Sequence, residues 1–178
     1  MNEVQPLKSK RDIERIKKAL HGRDRLLFIF GINSSLRISD ILPLRVRDVD
    51  GDYVILHEKK TGKRKQIRIN NAIKKALKEL LPADAQPDDY LFPSRKGNGP
   101  ITRVQAYRIL NAAAKRAGID FAFGCHSLRK TFAYHAYKNG TDIALLMRVL
   151  NHSSQRETLR YIGIEQESID DVYIDVCL

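Results

Sequence analysis

The chain is poor in cysteine, and the two that it has, Cys125 and Cys177, stand 52 positions apart with no metal-ligand spacing around them. That excludes a disulfide framework and a cysteine-based zinc site, and neither thiol needs an oxidising compartment. No apolar run approaches the ~18 residues of a membrane span. The stretch from Met1 to Arg25 is polar and charged, unlike a secretory leader. There is no internal repeat and no low-complexity segment. These absences favour a cytoplasmic protein that does not enter membranes, and 178 residues with 43% hydrophobic content suffice for one domain with a real core.

What is abundant is positive charge. The formal net charge is +11 and the isoelectric point about 9.8, which points to a polyanionic partner. The charge is unevenly spread. All 32 Lys and Arg lie in residues 1–160, whereas residues 161–178 hold Glu165, Glu167, Asp170, Asp171 and Asp175 and no base. The body can attract DNA; the acidic tail is better suited to docking on protein. Residues 1–164 are expected to be one domain, with 165–178 a tail whose Ile169, Val172, Tyr173 and Val176 could form the apolar side of such a contact.

Local patterns predict a mainly helical domain with one small antiparallel β-sheet, an α+β fold. Ser9 to Asp12 reads as a capping box before a helix carrying Ile13, Ile16 and Leu20 on one face. Arg23–Asn33 is apolar almost all round and predicts a buried central helix, followed by a short one at Ser39–Leu42. Tyr53–Leu56 and the period-two stretch Gln66–Asn70 predict two strands joined by a hairpin that contains Gly62. Helices are predicted at Asn71–Leu81, Thr102–Ala117, after a cap at Ser127, at Asp142–Leu150 after a Thr141 cap, and after Ser153 or Ser154. The Pro- and Gly-rich stretch Pro82–Pro100 is expected to be a loop anchored by Tyr90, Leu91 and Phe92.

Against this background a few residues carry chemistry. His126 and Arg129 are three apart at a predicted helix start, where free N–H groups, the helix dipole and a planar guanidinium all favour a phosphate. The plain alternative is a capped helix with an arginine in a surface salt bridge. Asn151 can take the left-handed conformation that ends a helix, which would present His152 on a turn. Tyr161 follows nine residues later, a nucleophile candidate if nearby cations balance its charge; by itself it could equally be a packing tyrosine. Arg37 lies at the end of the apolar helix, with Asp40 near enough in sequence to hold its guanidinium. Lys60 sits in a hairpin crowded with Lys59, Lys63, Arg64 and Lys65, which, with Lys130, are candidate DNA contacts.

Taken in order, these motifs resemble the catalytic domain of the tyrosine recombinase, or phage integrase, family. The likeness runs from about Lys8 to Ile162. It rests on Leu36-Arg37-Ile38-Ser39-Asp40, Lys60-Thr61-Gly62, Tyr90-Leu91-Phe92-Pro93, Ala117-Gly118-Ile119, the stretch from His126 to Ala133, Leu150 to Ser154, and Arg160-Tyr161. The resemblance implies a DNA integrase or site-specific recombinase that cuts and rejoins double-stranded DNA through a 3′-phosphotyrosyl intermediate, as a homo-oligomer on DNA, without metal or other cofactor. It assigns Tyr161 as nucleophile and Lys60 as general acid. Arg37, Arg129 and His152 would hold the phosphate oxygens, and Asp40 would stand behind them. His126 would either help take the tyrosine proton or orient the phosphate. Asn151 stands where Gly is common, Asp40 where Glu is frequent, and Lys130 where His often follows the arginine. An N-terminal core-binding domain, usual in the family, is expected to be absent. That leaves two rival readings, a non-catalytic DNA-binding accessory protein and a type IB topoisomerase-like nicking-closing enzyme.

Overall fold

The computed structural model describes residues 3–164; the acidic tail, with its predicted docking role, lies outside them. Eight helices and a two-stranded sheet make up the described residues. Helix α1 (Lys10–Lys18) begins where the Ser9 hydroxyl accepts from the Arg11 N–H, as the capping pattern predicts. Helix α2 (Gly22–Ser34) buries Leu26 to Phe30 without a break and forms the centre of the domain. Its companion is α6 (Cys125–Lys138), and the two approach closely because α2 carries Gly31. A Cβ at that position would lie 2.5 Å from Leu128 Cδ1.

Between them the chain forms α3 (Ile38–Ile41), a 3₁₀ turn at Val46–Val49, and strands β1 (Tyr53–His57) and β2 (Arg64–Arg68). The strands pair antiparallel with Tyr53 opposite Arg68 and His57 opposite Arg64. Helix α4 (Asn71–Leu80) is capped by Asn70, whose side chain accepts from the Ile73 N–H. The loop that follows is pinned by a Leu91 N–H bond to Leu44 O and by burial of Leu91 and Phe92, the latter edge-on to Phe30. Helix α5 (Arg103–Arg116) starts from a reciprocal box between Thr102 and Gln105. Helices α7 (Ile143–Leu150) and α8 (Gln155–Ile162) complete the domain.

Two helix starts differ from the sequence-based expectation. Helix α6 begins two residues before Ser127, with extended Gly124 as its cap residue. Ser127 still serves the start, because its hydroxyl accepts the Gly124 N–H from inside the first turn. Helix α7 is capped by Asp142 rather than Thr141. The carboxylate accepts from both Ala144 and Leu145 N–H, two bonds where a hydroxyl commonly makes one.

The core divides in two. A large cluster joins α1 to α6 and the sheet. A smaller one consists of Ala133, Leu146, Leu150, Ile162 and Ile164, with Tyr161 packed on it. No described helix is long and apolar enough to cross a membrane.

Candidate active site

Arg129 is the fixed point of the site. It is only 4% exposed, and its two terminal nitrogens donate to Ser35 O at 2.6 Å and Leu150 O at 2.7 Å. Both acceptors are helix C-terminal carbonyls, one at the end of α2 and one at the end of α7. Each helix stops because a residue adopts left-handed backbone, Ser35 (φ 57°) and Asn151 (φ 55°). These are the two non-glycine residues of positive φ among those described. Turning the chain there exposes carbonyls that a helix would otherwise have used, and the guanidinium takes them. One arginine thus ties together the segments that carry Arg37 and His152.

His152 follows Asn151 on the predicted turn. Its Nδ1 lies 3.1 Å from Thr158 Oγ1, and that hydroxyl also lies 3.1 Å from Ser154 O. The hydroxyl has one proton. If it donates to Ser154 O, it accepts from Nδ1–H; Nε2 is then an acceptor in the neutral ring and becomes a donor to a phosphate oxygen when the imidazolium forms. The His152 ring meets the Tyr161 ring edge-to-face, with centroids 4.9 Å apart. Loss of hydration holds the imidazole below its ordinary pKa; Glu157 opposes the shift, and Arg129 and Arg37 reinforce it. His126 occupies the first turn of α6, exposed at its edge. It too is held below its ordinary value, first by lost hydration and then by Arg103, Arg129, Lys130 and Arg37.

Tyr161 is half-buried on α8. Burial raises its phenol pKa, and the charges of Arg129 and Arg37 oppose that rise without cancelling it. The phenol therefore holds its proton at neutral pH until a reaction removes it.

Arg37 departs from the expected pairing. Its partner is Glu58, with Nη1 3.1 Å from a carboxylate oxygen, and not Asp40. Asp40 instead accepts the Lys59 backbone N–H at 2.9 Å, fixing the base of the hairpin turn. The physical reason is position: Glu58 follows β1 directly and is folded inward, 4% exposed, where it also accepts from the Thr61 hydroxyl and faces Lys65. Burial pushes the Glu58 carboxyl upward, but Thr61, Arg37 and Lys65 outweigh it and hold it low. Sequence reasoning missed Glu58. The available signal was a lone acid next to a run of five bases.

Two candidate DNA contacts are inward-facing. Lys65 donates to Val149 O at 2.9 Å, and lost hydration together with Arg129 pulls its ammonium below the ordinary value, against Glu58. Lys130 has a side chain only 6% exposed and pairs with Glu3 at 2.6 Å. Neither is placed to reach a groove, because alternation along β2 and rotation around α6 turn them toward the protein. Lys59, Lys63 and Arg64 are exposed, and Lys63 Nζ lies 3.4 Å from Asn151 Oδ1. Lys60 is exposed on the turn and makes no hydrogen bond or ion pair among the described residues.

Among the described residues, five buried side-chain atoms have no hydrogen-bond partner. Four of them, Ser35 Oγ, Arg37 Nη1, Asp40 Oδ2 and Glu58 Oε1, surround Arg37. The Arg37–Glu58 contact is close but off-line, so it is an ion pair and not a hydrogen bond. Unused hydrogen-bonding capacity in one place is the mark of a ligand site more than of a finished core. A cavity of about 770 Å³ beside Arg45 and Tyr90 includes none of these residues.

Comparisons with known proteins give the family and the fold. The model of the phage integrase family matches residues 8–167. The chain is 47% identical over 177 residues to the probable integrase/recombinase YoeC of Bacillus subtilis, covering 97% of each. It is 31% identical over 159 residues to the tyrosine recombinase XerD of Corynebacterium glutamicum, covering 85% of this chain and 51% of that one. The chain thus spans about half the length of that recombinase. The fold superposes on a crystal structure of XerA recombinase with a TM-score of 0.79 and 23% identity, over 98% of this chain and 66% of that one.

Proposed function

The chain belongs to the phage integrase family, and from that premise we propose that it is a DNA strand-transferase that cuts and rejoins double-stranded DNA through Tyr161. The phenol oxygen attacks the scissile phosphorus in line, and the bond to the 5′-oxygen breaks. The product is a 3′-phosphotyrosyl protein and a free 5′-hydroxyl. The phosphotyrosine keeps the bond energy, so a second 5′-hydroxyl can reverse the step and complete strand exchange.

Arg37, Arg129 and His152 bind the non-bridging oxygens as charge redistributes. Preorganised donors of this kind are worth roughly 3–4 kcal/mol each. His126 helps accept the tyrosine proton or orients the phosphate. Lys60 protonates the leaving 5′-oxygen, which requires that the hairpin turn close on the DNA. Asp40 acts through the turn by holding the Lys59 N–H. Exposed Lys59, Lys63 and Arg64 contact the backbone, and the protein acts on DNA as a homo-oligomer.

The observation that carries this reading is the convergence of Arg129, His152 and Tyr161 on the ends of α7 and α8, with the two rings in contact. The test is covalent trapping on a pool of nicked duplexes of randomised sequence, resolved under denaturing conditions. The parent chain forms an adduct that maps to Tyr161. Tyr161→Phe still binds DNA but forms none. An adduct that persists in Tyr161→Phe, or maps to another residue, overturns the proposal.

A further inference from the structure

Residues 3–8 cross α6 as an extended strap. Gln5 N–H donates to Ala122 O at 3.0 Å and Leu7 N–H to Thr131 Oγ1 at 2.9 Å, while Leu7 O lies 2.9 Å from His135 Nε2. Both ends of the strap bear on the last turn of α8, one directly and one through Lys130. Lys8 Nζ donates to Gly163 O, where α8 stops. Glu3 pairs with Lys130, whose ammonium lies 5.0 Å from the centroid of the Tyr161 ring. Glu3 and Tyr161 also line a common groove of about 580 Å³.

We propose that Lys130 is a positioning residue for the nucleophile: its ammonium, held by Glu3 of the strap, steadies the Tyr161 ring and offsets the negative charge that the phenol acquires on attack. This rests on Tyr161 being the nucleophile.

An ordinary surface ion pair leaves both partners in water. Here the lysine side chain is 6% exposed and its carboxylate partner 67% exposed. Burying an ammonium is costly, and this one is placed over an aromatic face, where the ring quadrupole attracts it. The ring is then held from two sides, by Lys130 and by the edge-to-face contact with His152. The charged groups that face the phenol are Arg129 and Lys130 from α6, Arg37 from the start of α3, His152 from the turn after α7, and Glu3 from the strap. Arg160 of α8 faces Glu3 in turn. Glu157 of α8 lines the same groove, and Glu3 is the anion that pairs with the ammonium. It secures the ammonium and at the same time opposes ionisation of the phenol, so the two members of one ion pair act on Tyr161 with opposite sign.

That opposition separates positioning from bracing. A brace acts through contact and not through charge, so the two substitutions would shift the phenol in the same direction or not at all. A polyfluorinated tyrosine whose phenol titrates near neutrality is placed at 161 in the 178-residue chain and followed by fluorine NMR against pH. Lys130→Met is expected to raise the midpoint by about half a pH unit or more. Glu3→Gln, whose amide oxygen still accepts from the ammonium, is expected to lower it by a similar amount, and Lys130→Arg to keep it near the parent value. In the trapping assay the same variants are expected to change the rate of adduct formation in opposite directions, about three- to tenfold. Shifts of the same sign in Lys130→Met and Glu3→Gln, or no shift in either, overturn the proposal. If the parent traps no DNA, the nucleophile reading falls, while the NMR midpoints still decide whether Lys130 acts on residue 161. Glu3 is exposed, so Glu3→Gln remains informative if a substitution at Lys130 prevents folding.

Discussion

At the residue scale the site is organised by what Arg129 donates to. A buried guanidinium between two helix C-terminal carbonyls is a structural tie as well as a phosphate ligand. Removing it leaves the Ser35 and Leu150 carbonyls without their partner. A buried polar group left unpaired costs about 1–3 kcal/mol. Arg129→Ala is therefore expected to lower the unfolding free energy by about 2 kcal/mol or more, read from the midpoint of urea denaturation at constant slope. Tyr161→Phe, which removes one hydroxyl from a half-buried ring, is expected to cost less than about 1 kcal/mol. An Arg129→Ala protein as stable as the parent would show that the clamp holds nothing. The family likeness marks this arginine for its chemistry alone; the second task is visible only once Ser35 and Leu150 are seen beside it.

The element scale is governed by how closely α2 and α6 pack, and that depends on Gly31. A methyl group there would lie 2.5 Å from Leu128 Cδ1 and 3.1 Å from Leu128 Cβ, so the leucine or the helix must shift. Leu128 immediately precedes Arg129. Gly31→Ala should then cost about 1–3 kcal/mol by overpacking, offset only slightly by better helix propensity. The check is a double-mutant cycle with Leu128→Ala, in which the combined loss is smaller than the sum of the two single losses. Strict additivity would mean that the two residues do not press on each other. Within an unbroken apolar run Gly31 looks unremarkable, since its reason lies on a helix almost a hundred residues away. The hairpin is a similar case. Its strands are legible from β-prone residues and period-two alternation, yet which of its five bases point inward follows from register against the body. Lys65 turns in, and Lys59 stays out.

On the scale of the whole molecule, the nucleophile candidate rides on the smaller of two cores. Helix α2 is anchored in the large cluster, whereas α8 buries only Thr158 and Ile162 and packs with α6 and α7. Local opening costs least where few apolar groups are buried. Native-state hydrogen exchange is expected to show the α8 amides opening at lower free energy than those of α2. Equal protection of the two helices would show that the domain opens only as one unit. A weakly anchored helix suits a reaction in which the tyrosine must approach a phosphorus and later release it.

What the sequence determines by itself is what depends on neighbours along the chain. The helix start at Ser9, the turn at Asn151 and the strand alternation are set within a few residues, so local chemistry predicts them. The order of the motif residues adds the family and, with it, the fold. The tertiary structure decides what depends on pairs far apart in sequence. It gives Arg37 the Glu58 carboxylate in place of Asp40, turns Lys65 and Lys130 inward, and brings Glu3 to the Lys130 ammonium that lies over the Tyr161 ring. The physical reason is that a charge's partner is set by burial and distance in three dimensions, and neither is written in the spacing of residues along the chain.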